Sequence, residues 1–190
     1  MVSPHDGESR RGLLCGAYPA AAAAAVALAG CGGKSKHPSV KLASAPARRL
    51  DVEVLNRALD LERRTVEAYI AGIPLLNRAD GKTAKQFLNE ELQHTGELLA
   101  LIKAAKGKAI PRAASYDLGH PRDGGEVLTL LHELERRQIA GYLDAIPRLS
   151  PGPVRAAVAT ILASDAEHIA ILRLAQGATP APSAFVTGTE

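Results

Sequence analysis

Two short acidic boxes, Glu91-Leu92-Gln93-His94 and Asp165-Ala166-Glu167-His168, each place an acid and a histidine three residues apart inside an otherwise apolar stretch. On a helix that spacing brings the pair to neighbouring positions on one face. Two single glutamates join the pattern. Glu62 lies seven residues from both Leu55 and Tyr69, and Glu135 seven from both Leu128 and Tyr142, so each falls in the middle of an apolar helical stripe. Four carboxylates on buried faces need compensation, because an isolated buried carboxylate shifts its pKa and neutralises instead. Two divalent or trivalent metal ions would offset that charge. Carboxylates can bridge two ions and a neutral imidazole can complete each one, a donor set that suits iron or manganese.

Such a site needs four helices to converge, and the chain supplies four periodic stretches. The first is predicted from Asp51, a candidate N-cap, through Leu55, Leu59, Val66, Tyr69 and Ile73 to a stop at Pro74. Asn77 to Gly81 reads as a turn, and a second helix follows from about Lys82 to Lys106, stopped by Gly107. The segment up to Arg122 holds Pro111, Gly119 and Pro121 without helical pattern and reads as a long connection. Asp123 to Glu126 resembles a capping box opening a third helix that ends at Pro147. Ser150 and Pro151 fit the start of a fourth, which ends near Gly177.

An internal repeat fixes how these helices pair. Leu55 to Pro74 aligns without gaps on Leu128 to Pro147, so the first helix matches the third, and the acid-xx-His boxes match the second to the fourth. Two helical hairpins joined by one long crossover predict an all-α four-helix bundle. The connection can stretch to roughly 50 Å while a 24-residue helix is about 36 Å long, so it can return along the bundle and leave the second and third helices parallel.

The 190 residues suffice for one such domain, and a net charge of +3 with interspersed Lys, Arg, Asp and Glu builds no basic face for nucleic acid. Residues 1–30 read as an export signal, with Arg10 and Arg11 ahead of an apolar run from Leu13 to Ala29. Ser9 to Leu14 resembles a twin-arginine signal and equally fits an ordinary Sec signal. Leu28-Ala29-Gly30-Cys31 resembles the lipobox of bacterial lipoproteins, in which the cysteine carries lipid. Residues 31–49 then form a flexible tether, 50–177 the bundle and 178–190 a disordered tail. With Cys15 in the signal and Cys31 lipidated, the mature domain has no disulfide.

On the Leu-Glu-Arg-Arg segments at 61–64 and 134–137 and the two boxes, residues 51 to 176 resemble the ferritin-like superfamily, and within it the small exported ferritin-like proteins of bacteria. The resemblance implies a dinuclear iron or manganese centre with Glu62 and Glu135 as single ligands, Glu91 with His94 as the first pair, and Asp165 with His168 as the second. It further implies oxidation of Fe(II) by dioxygen or peroxide, and the lipobox-like segment ending at Cys31 makes the expected location a lipid anchor outside the cytoplasm on a bacterial cell membrane. Asp165 departs from the family's Glu. One methylene shorter, it is expected to serve one ion without bridging, so the half built on the first box should bind better. That departure leaves a second reading, a non-catalytic envelope scaffold with a degenerate site. Tyr69 and Tyr142 read as core aromatics or as donors beside the metal; Glu67, Glu90 and Glu97 read as ordinary polar-face residues, and His132 as a surface residue. The bundle could also pair as a homodimer.

Overall fold

The computed structural model describes residues 44–190; the export signal, Cys31 and the tether up to residue 43 lie outside the described residues. Four helices account for the fold: α1 (Ala45–Gly72), α2 (Arg78–Ala104), α3 (Gly124–Ala145) and α4 (Pro153–Ala175), with single 3₁₀ turns at Ile73–Leu75 and Ile146–Arg148 carrying the two repeat-related prolines. There is no strand among the described residues. None of these helices is long and apolar enough to cross a membrane.

The helix starts differ from the sequence reading in instructive ways. α1 begins six residues before Asp51, capped by the Ser44 hydroxyl, which accepts from the Ala47 amide at 3.3 Å. Pro46, read as part of the tether, sits in the first turn, where its missing N–H is no loss. Asp51 is therefore no cap. It is buried in the helix and accepts from the Ser150 amide at 2.7 Å, tying α1 to the turn before α4. At α2 the Asn77 side chain caps directly, accepting from the amides of Ala79 and Asp80, so only Asn77 of the expected turn lies outside the helix. Asp123 caps α3 by accepting from the Glu126 amide, but Glu126 reaches back to the Arg122 amide, one residue beyond the box pattern. α4 begins at Pro153 after Gly152, whose φ of 97° places the turn two residues later than Ser150.

α1 and α3 run on into 3₁₀ turns, whereas α2 and α4 end in left-handed closures. At the end of α2 the residue with positive φ is Lys106 (58°), and the Gly107 amide reaches back to the Ile102 carbonyl at 2.9 Å. Gly107 is required for a different reason: a Cβ there would stand 2.3 Å from Val52 Cγ2. Gly177 (φ 73°) closes α4 as expected, with Ala178 donating to the Arg173 carbonyl. Beyond it, where a disordered tail was expected, the chain has no helix but touches α3 through Arg136, which donates to the Gly188 carbonyl at 2.6 Å.

The bundle has the predicted two-hairpin topology. α1 packs on α2 and α3, α3 packs on α4, and α2 and α4 are the most loosely packed of the neighbouring pairs. Tyr69 meets Glu135 while Tyr142 meets Glu62, so α1 and α3 run in opposite directions and α2 and α3 run parallel. The crossover accordingly returns along α1. Asn56 clamps it at both ends of its amide, donating to the Lys108 carbonyl at 3.1 Å and accepting from the Ile110 amide at 2.8 Å; further along, Tyr116 donates to Asp60 and Arg64 to the Asp117 carbonyl. The core falls into two apolar halves, one around Leu55, Leu59, Leu98 and Ile102, the other around Ala68, Phe87, Val127 and Leu131. Between them lie the titratable residues.

Candidate metal centre

All six residues singled out from the sequence meet at mid-bundle: Glu62 from α1, Glu91 and His94 from α2, Glu135 from α3, and Asp165 and His168 from α4. All are buried, and His94, at 8 % exposure, is the least enclosed. Donor atoms of Glu91, Glu135, Asp165 and His168 lie within 4.8 Å of one another, and those of Glu62, His94 and Asp165 form a second such group. Asp165 is shared by both groups, whereas its shorter side chain was expected to serve one. Glu167, next to His168 in the second box, is exposed and takes no part. The imidazoles approach through Nδ1: that of His94 lies 3.5 Å from Glu91 and 3.4 Å from Asp165, that of His168 3.2 Å from both Glu91 and Glu135.

A ring of neutral donors orients the glutamates. The Tyr69 hydroxyl donates to Glu135 Oε1 at 2.6 Å, and the Tyr142 hydroxyl donates to Glu62 Oε1. These two bonds cross between α1 and α3 as the repeat requires. Gln138 donates to Glu91 Oε2 at 3.0 Å and in turn accepts from the Thr65 hydroxyl. Each glutamate thus has one oxygen held and the other, Glu62 Oε2, Glu91 Oε1 and Glu135 Oε2, buried without a hydrogen-bond partner; both oxygens of Asp165 and Nδ1 of His94 are in the same condition. Neither Thr65 nor Gln138 stood out from the sequence. Their signal was in the repeat, where they occupy equivalent positions three residues after each single glutamate. Glu90 corrects the sequence reading more sharply: it is no ordinary polar-face residue, since its Oε2 lies 2.7 Å from His168 Nε2. His132 stays outside the cluster, its charged neighbours being Arg173, Arg136, Glu133 and Glu190.

Crowding and burial shape the charges. Desolvation, reinforced by Glu91 and Asp165, holds the Glu62 carboxyl well above its ordinary range, and desolvation with Glu91 and Glu135 does the same to Asp165. Glu135 is raised by burial and by Glu91. Burial would also raise Glu91, but the close approach of the His168 and His94 imidazoles outweighs it and holds that carboxyl below its usual range. His168 is the counterpart: burial alone would lower it, yet its contacts with Glu135 and Glu91 push it up to about 11. Protons therefore do the work of cations in this cluster.

The donor set fits two metal ions. Four carboxylates match the charge of two divalent cations, the orphaned atoms face one another, and a set of oxygens and imidazoles without thiolate is what iron or manganese takes. Residues 50–178 match the sequence family of the ferritin-like domain. The chain belongs to this family. Two solved structures share the ferritin-like fold. A conserved hypothetical protein from Mycobacterium tuberculosis is 19 % identical, with a TM-score of 0.66 and alignment over 75 % of this chain and 99 % of that one. A second structure, of ferritin like, diiron-carboxylate proteins from Bacillus anthracis str. Ames, is 15 % identical, with a TM-score of 0.61 over 71 % of this chain and 99 % of that one. At these identities the likeness of the ferritin-like domain to both is a likeness of fold. No curated protein matches the sequence significantly.

Proposed function

We propose that this ferritin-like protein holds a dinuclear iron or manganese centre on Glu62, Glu91, His94, Glu135, Asp165 and His168, and that it oxidises Fe(II). The observation that carries the reading is the set of buried, unpartnered carboxylate oxygens and imidazole nitrogen sealed between two apolar halves. Buried polar groups without partners are rare because each carries a desolvation penalty, and a cation relieves all of them together. Bound iron or manganese would supply redox chemistry toward dioxygen or a peroxide. The chain's own residues orient the donors: Tyr69, Tyr142 and Gln138 each fix one oxygen of a glutamate and turn the other inward. With Fe(II) as substrate and a peroxide as oxidant, the net reaction removes one electron from each of two Fe(II) ions and converts the peroxide, with two protons, to two waters. The purified protein, incubated with Fe(II) or Mn(II) and desalted, is expected to retain about two ions per chain by elemental analysis and to lose them in the Glu62→Ala, Glu135→Ala double variant. Protein that stays metal-free after this loading would sink the proposal.

The same reading places the centre outside the cytoplasm, on a lipid attached to Cys31 and a tether leading to α1. Its support is sequence alone: the paired Arg10 and Arg11, the apolar run to Ala29 and the small residues before Cys31. Intact-mass analysis of the membrane fraction is expected to show a mature chain that starts at a lipidated Cys31. Cys31→Ala should release the protein from the membrane; an unlipidated, full-length chain in the soluble fraction would overturn the localisation.

A further inference from the structure

The two hairpins are related by a pseudo-twofold that carries Glu91 onto Asp165 and His94 onto His168. The same offset carries Phe87 onto Ile161 and Glu90 onto Ser164. At these last two pairs the halves of the centre stop being alike. The ring of His168 stacks on Phe87, with centroids 4.1 Å apart and planes 27° from parallel. Its Nε2 lies 2.7 Å from Glu90 Oε2, and Gln86 in turn donates to Glu90 Oε1 at 3.1 Å. Around His94 the equivalent positions hold an aliphatic residue and a serine. Ile161 and Ser164, with His94 itself, line a groove of about 550 Å³ between α2 and α4, whose other walls include Gln93, Glu97 and Thr160 and, where it covers His168, Glu90. The exposures agree: His168 is 1 % exposed and His94 8 %.

We propose that the two positions of the centre exchange metal unequally: the ion on Glu62, His94 and Asp165 loads and leaves through the α2–α4 groove, while the ion on Glu91, Glu135, Asp165 and His168 is locked in place, with Glu90 as the positioning residue for His168. This inference rests on the dinuclear reading above. A carboxylate on Nε2 keeps the proton there, leaves the Nδ1 lone pair for the metal and strengthens the ligand, and losing such a partner typically weakens metal binding by about 10- to 100-fold. Stacking on Phe87 further restricts rotation of the ring. A serine hydroxyl in place of Glu90 is two carbons shorter, so the equivalent position beside His94 stays open to the groove. The order of the two halves is thereby the reverse of the one expected from the shortened Asp165.

The test uses the full chain loaded with Mn(II), then chased with excess EDTA, the metal remaining on the protein being counted by elemental analysis after rapid desalting at each time. The expected release has two phases of equal amplitude, separated by about tenfold or more. Glu90→Gln should speed the slow phase by about tenfold and leave the fast one alone. Ser164→Glu, which offers His94 the carboxylate it lacks and narrows the groove, should slow the fast phase. Release of both ions in a single phase, or a slow phase indifferent to Glu90→Gln, would overturn the inequivalence while the dinuclear centre stood. Failure of the wild-type chain to take up Mn(II) would overturn the dinuclear reading and this inference with it.

Discussion

Removing metal with a chelator is expected to lower the melting temperature of this protein by about 24 °C. The metal-free bundle buries four carboxyl groups with only two imidazoles to balance them, and the donors that surround them occupy only one oxygen of each glutamate and neither of Asp165. Ions that bind only the folded chain stabilise it by about 4 kcal/mol each when present at a thousand times their dissociation constant. Two of them give about 8 kcal/mol, and a domain of this size shifts its melting point by about 3 °C per kcal/mol. The effect should be read by calorimetry on matched samples, one saturated with Mn(II) and one dialysed against chelator. A second comparison isolates the site. In the Glu62→Leu, Asp165→Leu variant, chelator should make no difference, and its metal-free form should melt no lower than the metal-free wild type, because apolar side chains of similar volume replace groups that the core solvates poorly. Identical melting of the wild-type protein with and without metal would favour a scaffold with a degenerate site.

The elements legible in the sequence were those fixed by periodicity and by the repeat. Glu62 and Glu135 look like any mid-helix glutamate taken singly; the gapless match of Leu55–Pro74 to Leu128–Pro147 is what turns them inward together. Helix starts were less legible, because caps are local side-chain bonds that compete with one another. Ser44 and Asp51 both qualify as caps by type, and the one that wins is decided by Ser150, which needs Asp51 as an acceptor from across the bundle. Glu90 was missed for a geometric reason. A residue next to a buried ligand is about 100° around the helix and defaults to solvent, but α2 and α4 stand far enough apart for it to reach His168 on the facing helix. No spacing rule within one helix contains that information. Gln138 and Thr65 were hidden because each needs the other: a Gln–Thr bond across α1 and α3 closes only once the antiparallel register of those helices is known.

The stability of the protein is expected to depend on pH with opposite signs in the two metal states. In the metal-free chain Glu62, Glu135 and Asp165 have carboxyls raised above their ordinary values of 4.5, 4.5 and 3.8, so above those values the folded state holds protons that the unfolded state has lost. Stability then falls as pH rises, since the slope follows the protons bound by the unfolded state minus those bound by the folded state. His168 acts in the same direction. Raised from 6.5 to about 11, it contributes stability that is fully present below 6.5 and is lost as pH climbs toward 11. Glu91, held below its ordinary value, contributes above that value and loses its contribution only in acid. Between pH 5 and 8 the raised groups dominate, each worth up to about 1.4 kcal/mol per pH unit while it differs between the two states. Urea midpoints of the chelator-treated protein should therefore decline across this range, by an amount equivalent to about 2 kcal/mol or more. With saturating Mn(II) the slope should reverse, because the metal needs the carboxylates ionised and the imidazoles neutral, and its affinity grows as protons leave. Parallel declines in both states would mean that the buried protons are not displaced by metal, and that Glu62, Glu135, Asp165 and His168 form a hydrogen-bonded polar core with no ion in it.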